Sequence, residues 1–233
     1  MAALPTGSNL IVASLPRADR LRLLALCEPV QLVQGEVLSE PGQPTRHVHF
    51  PTASIVTLIA RVDEHPGLEV GMIGREGMLG SHLAQGQVHD PLRAMVQAAG
   101  STLRVAARPF RAELARSRTL GLALDRYLFV LMAQRATSAG CLRYHQIEPR
   151  LARWLLMSND RAQSDRFPVT QVFMAYMLGV RRVGVTRAAS ALQRRGLIAY
   201  HRGEMKVVDR AGLERASCSC YAAERAIYGR VMR

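Results

Sequence analysis

The sequence predicts an α+β chain: an N-terminal antiparallel β-roll of jelly-roll type, a long dimerisation helix, and a C-terminal winged helix-turn-helix. Three observations carry that prediction. From Leu32 to about Ala107, short apolar runs are broken at Gly35, Pro41-Gly42, Pro51, Pro66-Gly67, Gly86 and Gly100, the spacing of short strands in a roll or barrel. From Pro109 onward the apolar period becomes helical. Charge is also segregated. Of 233 residues, 31 are basic and 18 acidic, a net +13. Residues 1–149 carry 15 basic and 12 acidic side chains, whereas residues 150–233 carry 16 and 6, a net +10. A uniform solubility charge would not divide this way, so the C-terminal part is the one that meets a polyanion, nucleic acid before an acidic membrane.

Composition excludes several classes. With 48% hydrophobic residues the chain can bury a core and is not disordered. No apolar run reaches the roughly 18 residues of a membrane span, and the start lacks a cationic region ahead of an apolar one. Four cysteines, Cys27, Cys141, Cys218 and Cys220, do not make a disulfide framework in a chain of this length. The expected location is cytoplasmic, with no membrane partner.

The elements follow in order. Residues 1–117 are expected to form the roll domain, entered by a helix over Arg17–Leu26 and left by a short helix from Pro109 to Ser117. Residues 118–145 hold the long helix, Thr119 to Cys141, whose apolar stripe is wider than one face needs. Its Leu124, Leu128 and Leu131 have the 4-then-3 spacing of a short coiled-coil seam, which points to a homodimer. Residues 146–233 hold a helix from His145 to Ser158, a linker SNDRAQSDRF, and the most specific signal, Thr170–Ile198.

In TQVFMAYMLGVRRVGVTRAASALQRRGLI, Gly179 supplies the left-handed turn between two steeply crossed helices, and Ala175 gives room where they approach. Met174, Leu178, Val180, Val185 and Ala188 face inward, Thr170 caps the start, and Gly196 stops the end. That register turns Arg181, Arg182, Thr186 and Arg187 outward at the head of the second helix, placed for major-groove reading. LIAYHRGEMKVVD then reads as a hairpin wing around Arg202-Gly203, with His201, Arg202 and Lys206 placed for phosphate contact.

The order of roll, long helix and winged helix-turn-helix resembles the Crp/Fnr superfamily of bacterial transcription regulators. The likeness is strongest over RLARWLLM…LGVRRVGVTRAASALQRRGLI and extends to GEVLSEPGQP…VHFP…VGMIGREGMLG. It implies a homodimer joined by the long helix, bound to two-fold symmetric double-stranded DNA, with RNA polymerase as a further partner and a cyclic-nucleotide-binding-like roll that senses an effector. Two departures stand out. Many members have Arg-Glu-Thr-Val-x-Arg where this chain has Arg182-Val183-Gly184-Val185-Thr186-Arg187, so the cytosine-accepting Glu is replaced by Val183 and a different DNA site is expected. Gly184 is expected to loosen that helix, letting its backbone approach DNA. The family's cyclic phosphate is held by Gly-Glu-x-Gly and Arg-Ser. Here Gly74, Glu76, Gly77 and Arg93 match, but Ala94 lacks the hydroxyl, so an effector other than cyclic AMP is expected. Alternatively, Glu76 and Arg93 form a structural pair.

No catalytic residue, metal ligand or cofactor is assigned from sequence, only an unidentified small-molecule effector. With Cys27 alone near the start, the N-terminal cysteine cluster of iron–sulfur members is missing. Cys218 and Cys220 lack a third ligand, and Cys27 and Cys141 read as small buried hydrophobes. The rival is a cupin-like metal-dependent enzyme using His47 and His49, on one face of a strand, with His82 or His89 to complete the set; no carboxylate follows in Phe50–Ser54. A basic RNA-binding module would want interleaved aromatics, yet Phe, Trp and Tyr make up 5%.

Overall fold

The computed structural model describes residues 8–65, 67–162 and 164–233. Contacts divide it into two units: one of the residues up to Leu58 with Met72–Leu131 and Met232, the other of Ile59–Gly71 with Met132–Val231 and Arg233. Among the described residues no helix is long and apolar enough to cross a membrane.

The chain opens with α1 (Leu10–Ser14) and α2 (Arg17–Ala25), then β1 (Glu28–Leu32), β2 (Val37–Ser39), β3 (His47–Pro51), β4 (Ile55–Ala60) and β5 (Leu68–Ile73). A 3₁₀ turn (Ser81–Gln85), β6 (Arg93–Ala98), β7 (Gly100–Ala106) and α3 (Ala107–Arg116) lead into α4 (Arg118–Tyr144). Two sheets form the predicted roll, in the orders β1-β7-β3 and β2-β6-β4-β5. β7 runs antiparallel to both neighbours, with His49 opposite Arg104 and Thr102 opposite Val30. Helix α1 went unpredicted because five residues carry no period. It is held by Asn9, whose Oδ1 accepts from the amides of Ile11 and Val12 while Nδ2 donates to the carbonyls of Pro51 and Gly77 at 3.0 and 2.8 Å. One buried amide thus meets all its partners and ties the chain start to two loops.

The first unit's core gathers Ile11, Leu23, Val48, Phe50, Val105 and Phe110 with Leu120, Leu124, Tyr127 and Leu131 of α4. Phe50 and Phe110 meet tilted, centroids 6.1 Å apart. Of the predicted seam, Leu124 is fully buried in this core and Leu131 nearly so, which takes both from a seam, while Leu128 is half-buried. The large apolar residues that α4 leaves outside are Leu122, Phe129 and Met132, 46%, 48% and 60% exposed, and Tyr144 at its end. Periodicity shows that a helix has two apolar sides but not which side meets its own roll.

The second unit continues with α5 (Ile147–Ala162), β8 (Arg166–Pro168), α6 (Gln171–Leu178), α7 (Arg182–Arg194), β9 (Ile198–His201), β10 (Glu204–Val207), α8 (Arg210–Ala216) and α9 (Cys220–Val231). α5 is central. Its Leu151, Ala152, Leu155 and Leu156 are buried, and it packs against α6, α7, α8, α9 and β8. It runs four residues past Ser158, so much of the predicted linker is helix. Arg166–Pro168 adds a third strand in the order β8-β10-β9, pairing Met205 with Phe167. Trp154 packs edge-on against Phe173, centroids 6.3 Å apart, and its indole donates to Glu69 Oε1 at 3.0 Å.

Candidate nucleic-acid interface

Helix α7 is positioned by the turn before it. Thr170 Oγ1 accepts from the amide of Phe173 at 3.1 Å and caps α6. Gly179 ends α6 at φ 62°, ψ 40°, the left-handed conformation the sequence requires. A Cβ there would also meet Leu68 Cδ1 at 2.6 Å, a methyl that would have to shift, so it is the torsion that calls for glycine. Arg150, buried on α5, donates from Nη2 to the Leu178 carbonyl at the end of α6, where a cation also suits the helix dipole.

With Val185, Ala188 and Leu192 buried, Arg181, Arg182, Val183 and Arg187 stand exposed at the head of α7. Among the described residues none of these arginines forms an ion pair, whereas Arg195 on the last turn holds Glu148 at 2.8 Å. Thr186 is half-buried, and its hydroxyl has two acceptors in reach: Gln171 Oε1 at 2.9 Å and the Arg182 carbonyl at 3.0 Å. Its geometry is that of a brace between α6 and α7. A Cβ on Gly184 would meet Ile147 Cδ1 at 2.8 Å, so this position of α7 faces the start of α5. The wing turns on Arg202 and Gly203, with φ 48° and 82°. That is the mirror-type two-residue turn of a tight hairpin. Arg202 is held in a conformation that costs a side-chain-bearing residue roughly 1–2 kcal/mol. His201 and Arg202 are both exposed.

In the first unit, Gly74, Glu76 and Gly77 share one turn. Glu76 Oε1 accepts from the Gly74 amide at 3.1 Å, and Gly77 donates its amide to the Gly74 carbonyl at 3.1 Å. A Cβ on Gly77 would overlap the Tyr127 hydroxyl at 2.2 Å. Arg93 lies on β6 with its Nε 3.1 Å from Glu40 Oε1. None of the four lines a cavity of about 270 Å³ in this unit, whose walls include Glu40, Thr45, His47, His49, His82 and Asp90. His82 bridges Asp90, 3.1 Å from Nδ1, and Thr45, 2.8 Å from Nε2. His49 is buried, and its Nδ1 has no hydrogen-bond partner among the described residues. Burial, with the charges of His47 and Arg104 beside it, pulls its value down to about 4.

The described residues hold one group of three or more His, Cys, Asp or Glu side chains close enough to share an ion, and it is not at His47 and His49. It is Cys141, His145, Cys218 and Cys220. Sequence spacing could not show it, since the third and fourth donors come from the far end of α4. Within it the hydrogen bond with Cys218 pulls the Cys141 thiol down to about 5. That bond and burial push Cys218 up, and burial pushes Cys220 up.

Residues 149–216 match the family model of the Crp-like helix-turn-helix domain. Among curated proteins none matches. Similar solved structures include a transcriptional regulator of the Crp/Fnr family from Eubacterium rectale, 13% identical, TM-score 0.67, over 88% of this chain and 95% of that one. A CRP-family regulator of Thermus thermophilus is 18% identical, TM-score 0.67, over 81% and 96%. The c-di-GMP-responsive global regulator CLP of Xanthomonas campestris is 15% identical, TM-score 0.63, over 82% and 99%. Residues 149–216 are therefore similar to the Crp-like helix-turn-helix domain, set in a chain with the fold of the solved Crp/Fnr regulators.

Proposed function

We propose that the chain is a homodimeric, sequence-specific DNA-binding transcription regulator, with residues 1–117 sensing an effector, 118–145 joining two copies and 146–233 reading DNA. The observation that carries this reading is the head of α7, where Arg181, Arg182 and Arg187 are exposed and without acidic partners among the described residues. Guanidinium groups so placed suit bidentate pairing with guanine O6 and N7. The strained Arg202 supports the wing's part. Glycine or asparagine would sit there at lower cost, and arginine adds a cation at the hairpin tip for a phosphate.

Val183, 56% exposed, offers a methyl surface to the thymine C5-methyl instead of an acceptor to cytosine. Leu122, Phe129 and Met132 form the face through which a second copy would pack along α4. The effector cavity is the one lined by Thr45, His49, His82 and Asp90, and the buried Ala94 argues against a cyclic phosphate held as in cyclic AMP-binding members.

Selection of random duplex DNA by the purified protein at about 150 mM salt tests the proposal, since non-specific binding fades with salt. Enrichment of a palindrome whose half-sites lie about one helical turn apart is expected. Sequence-blind binding, with and without added small-molecule extract, would overturn it.

A further inference from the structure

We propose that Cys141, His145, Cys218 and Cys220 form a closed, four-coordinate site for a thiophilic divalent cation, zinc first. Their donor atoms all lie within 4.8 Å of one another. Cys141 Sγ is 3.6 Å from Cys218 Sγ, and Cys220 Sγ is 3.6 Å from His145 Nδ1. In a tetrahedron with Zn–S of about 2.3 Å and Zn–N of about 2.0–2.1 Å, sulfur–sulfur edges are about 3.8 Å and sulfur–nitrogen edges about 3.6 Å. Those two edges are close to the length the ion requires.

Local structure presents each donor. His145 donates its amide to the Cys141 carbonyl at 3.1 Å, so the last turn of α4 continues to His145, and residues four apart share a face. Cys218 lies in the α8–α9 link, its amide 3.4 Å from the Pro149 carbonyl at the start of α5. Cys220 is the first residue of α9, where a helix N-terminus favours a thiolate. The three sulfurs are buried and His145 is half-buried, which shields the set without sealing it.

Charge and the surrounding groups agree. Three thiolates and a neutral imidazole around a dication leave one net negative charge. Arg153 Nη1 stands 3.8 Å from Cys141 Sγ, while its Nη2 is held by Ser138 Oγ at 3.0 Å and by Glu224. Such outer contacts orient ligands and tune the ion they hold. A set of four protein ligands leaves no open position, so the role is structural: the ion ties the end of α4 to the α8–α9 link. Soft sulfur donors select zinc over magnesium or calcium. The inference does not depend on DNA binding.

Protein purified without chelators should carry about one zinc per chain, and Cys27→Ser should carry the same. Cys218→Ser and Cys220→Ser should lose most of it. Anaerobic replacement by cobalt should give the visible bands of a tetrahedral ion with thiolate-to-cobalt charge transfer, a readout on the unmutated chain that needs no variant to fold. Fully reduced protein that takes up neither zinc nor cobalt stoichiometrically would overturn the site. So would an octahedral cobalt spectrum, or a Cys141–Cys218 disulfide as the resting state. A chain that takes up no metal yet still selects a palindrome would end this inference and leave the regulator intact.

Discussion

At the scale of single residues, the proposed reading of DNA by α7 makes two separable predictions. Arg182→Ala should lower affinity for a selected site by about 1–3 kcal/mol and for random duplex much less; equal losses in a competition assay would mean that Arg182 touches only phosphate. Val183→Glu restores a carboxylate where Val183 now stands exposed and should move one base of each selected half-site toward cytosine. His49 makes a statement about pH. Its folded value of about 4 lies below the unfolded 6.5, so the unfolded chain binds the extra proton and stability falls as pH drops from 6.5 toward 4. Urea titrations of the wild type and His49→Gln should diverge by about 2 kcal/mol between pH 7 and pH 5, the wild type losing more. Parallel curves would show that the ring is not buried neutral.

At the scale of elements, legibility followed the local signal. The α6–α7 pair was readable because a left-handed glycine, a small residue and an inward apolar set must recur at fixed offsets, and Gly179, Ala175 and Val185 do so. The wing was readable from Arg202-Gly203 between apolar strands. Helix α1 was not, because its reason is the long-range amide network of Asn9. That Gly184 faces Ile147 is not legible either, because the two lie far apart in sequence. The dyad Cys218/Cys220 looked incomplete for the same reason: its companions arrive through the fold. The wing carries its own test. Arg202→Asn relieves a left-handed arginine and should raise stability by a few tenths to about 1 kcal/mol, seen as a higher melting temperature. DNA binding should weaken evenly across sequences, since the lost contact is to phosphate. A change confined to one base position would instead make Arg202 a reader.

At the scale of the whole molecule, the proposed self-association would run through α4. Leu124 and Leu131 are spent on the roll's own core, so the outer stripe of Leu122, Phe129 and Met132 is the surface a second copy would cover. Phe129→Glu should therefore convert a dimer to a folded monomer in light scattering, with far-ultraviolet circular dichroism unchanged, while Leu124→Glu should unfold the roll. A dimer that survives Phe129→Glu would place the contact elsewhere. A last consequence belongs to the lone tryptophan. Trp154 sits against Phe173 of α6, and its indole is tied to Glu69 of the Ile59–Gly71 segment. The chain thus has an optical probe built in. Its native emission reports from a single place, beside the helix pair that would meet DNA, and a titration with duplex or effector can be followed there with no dye attached.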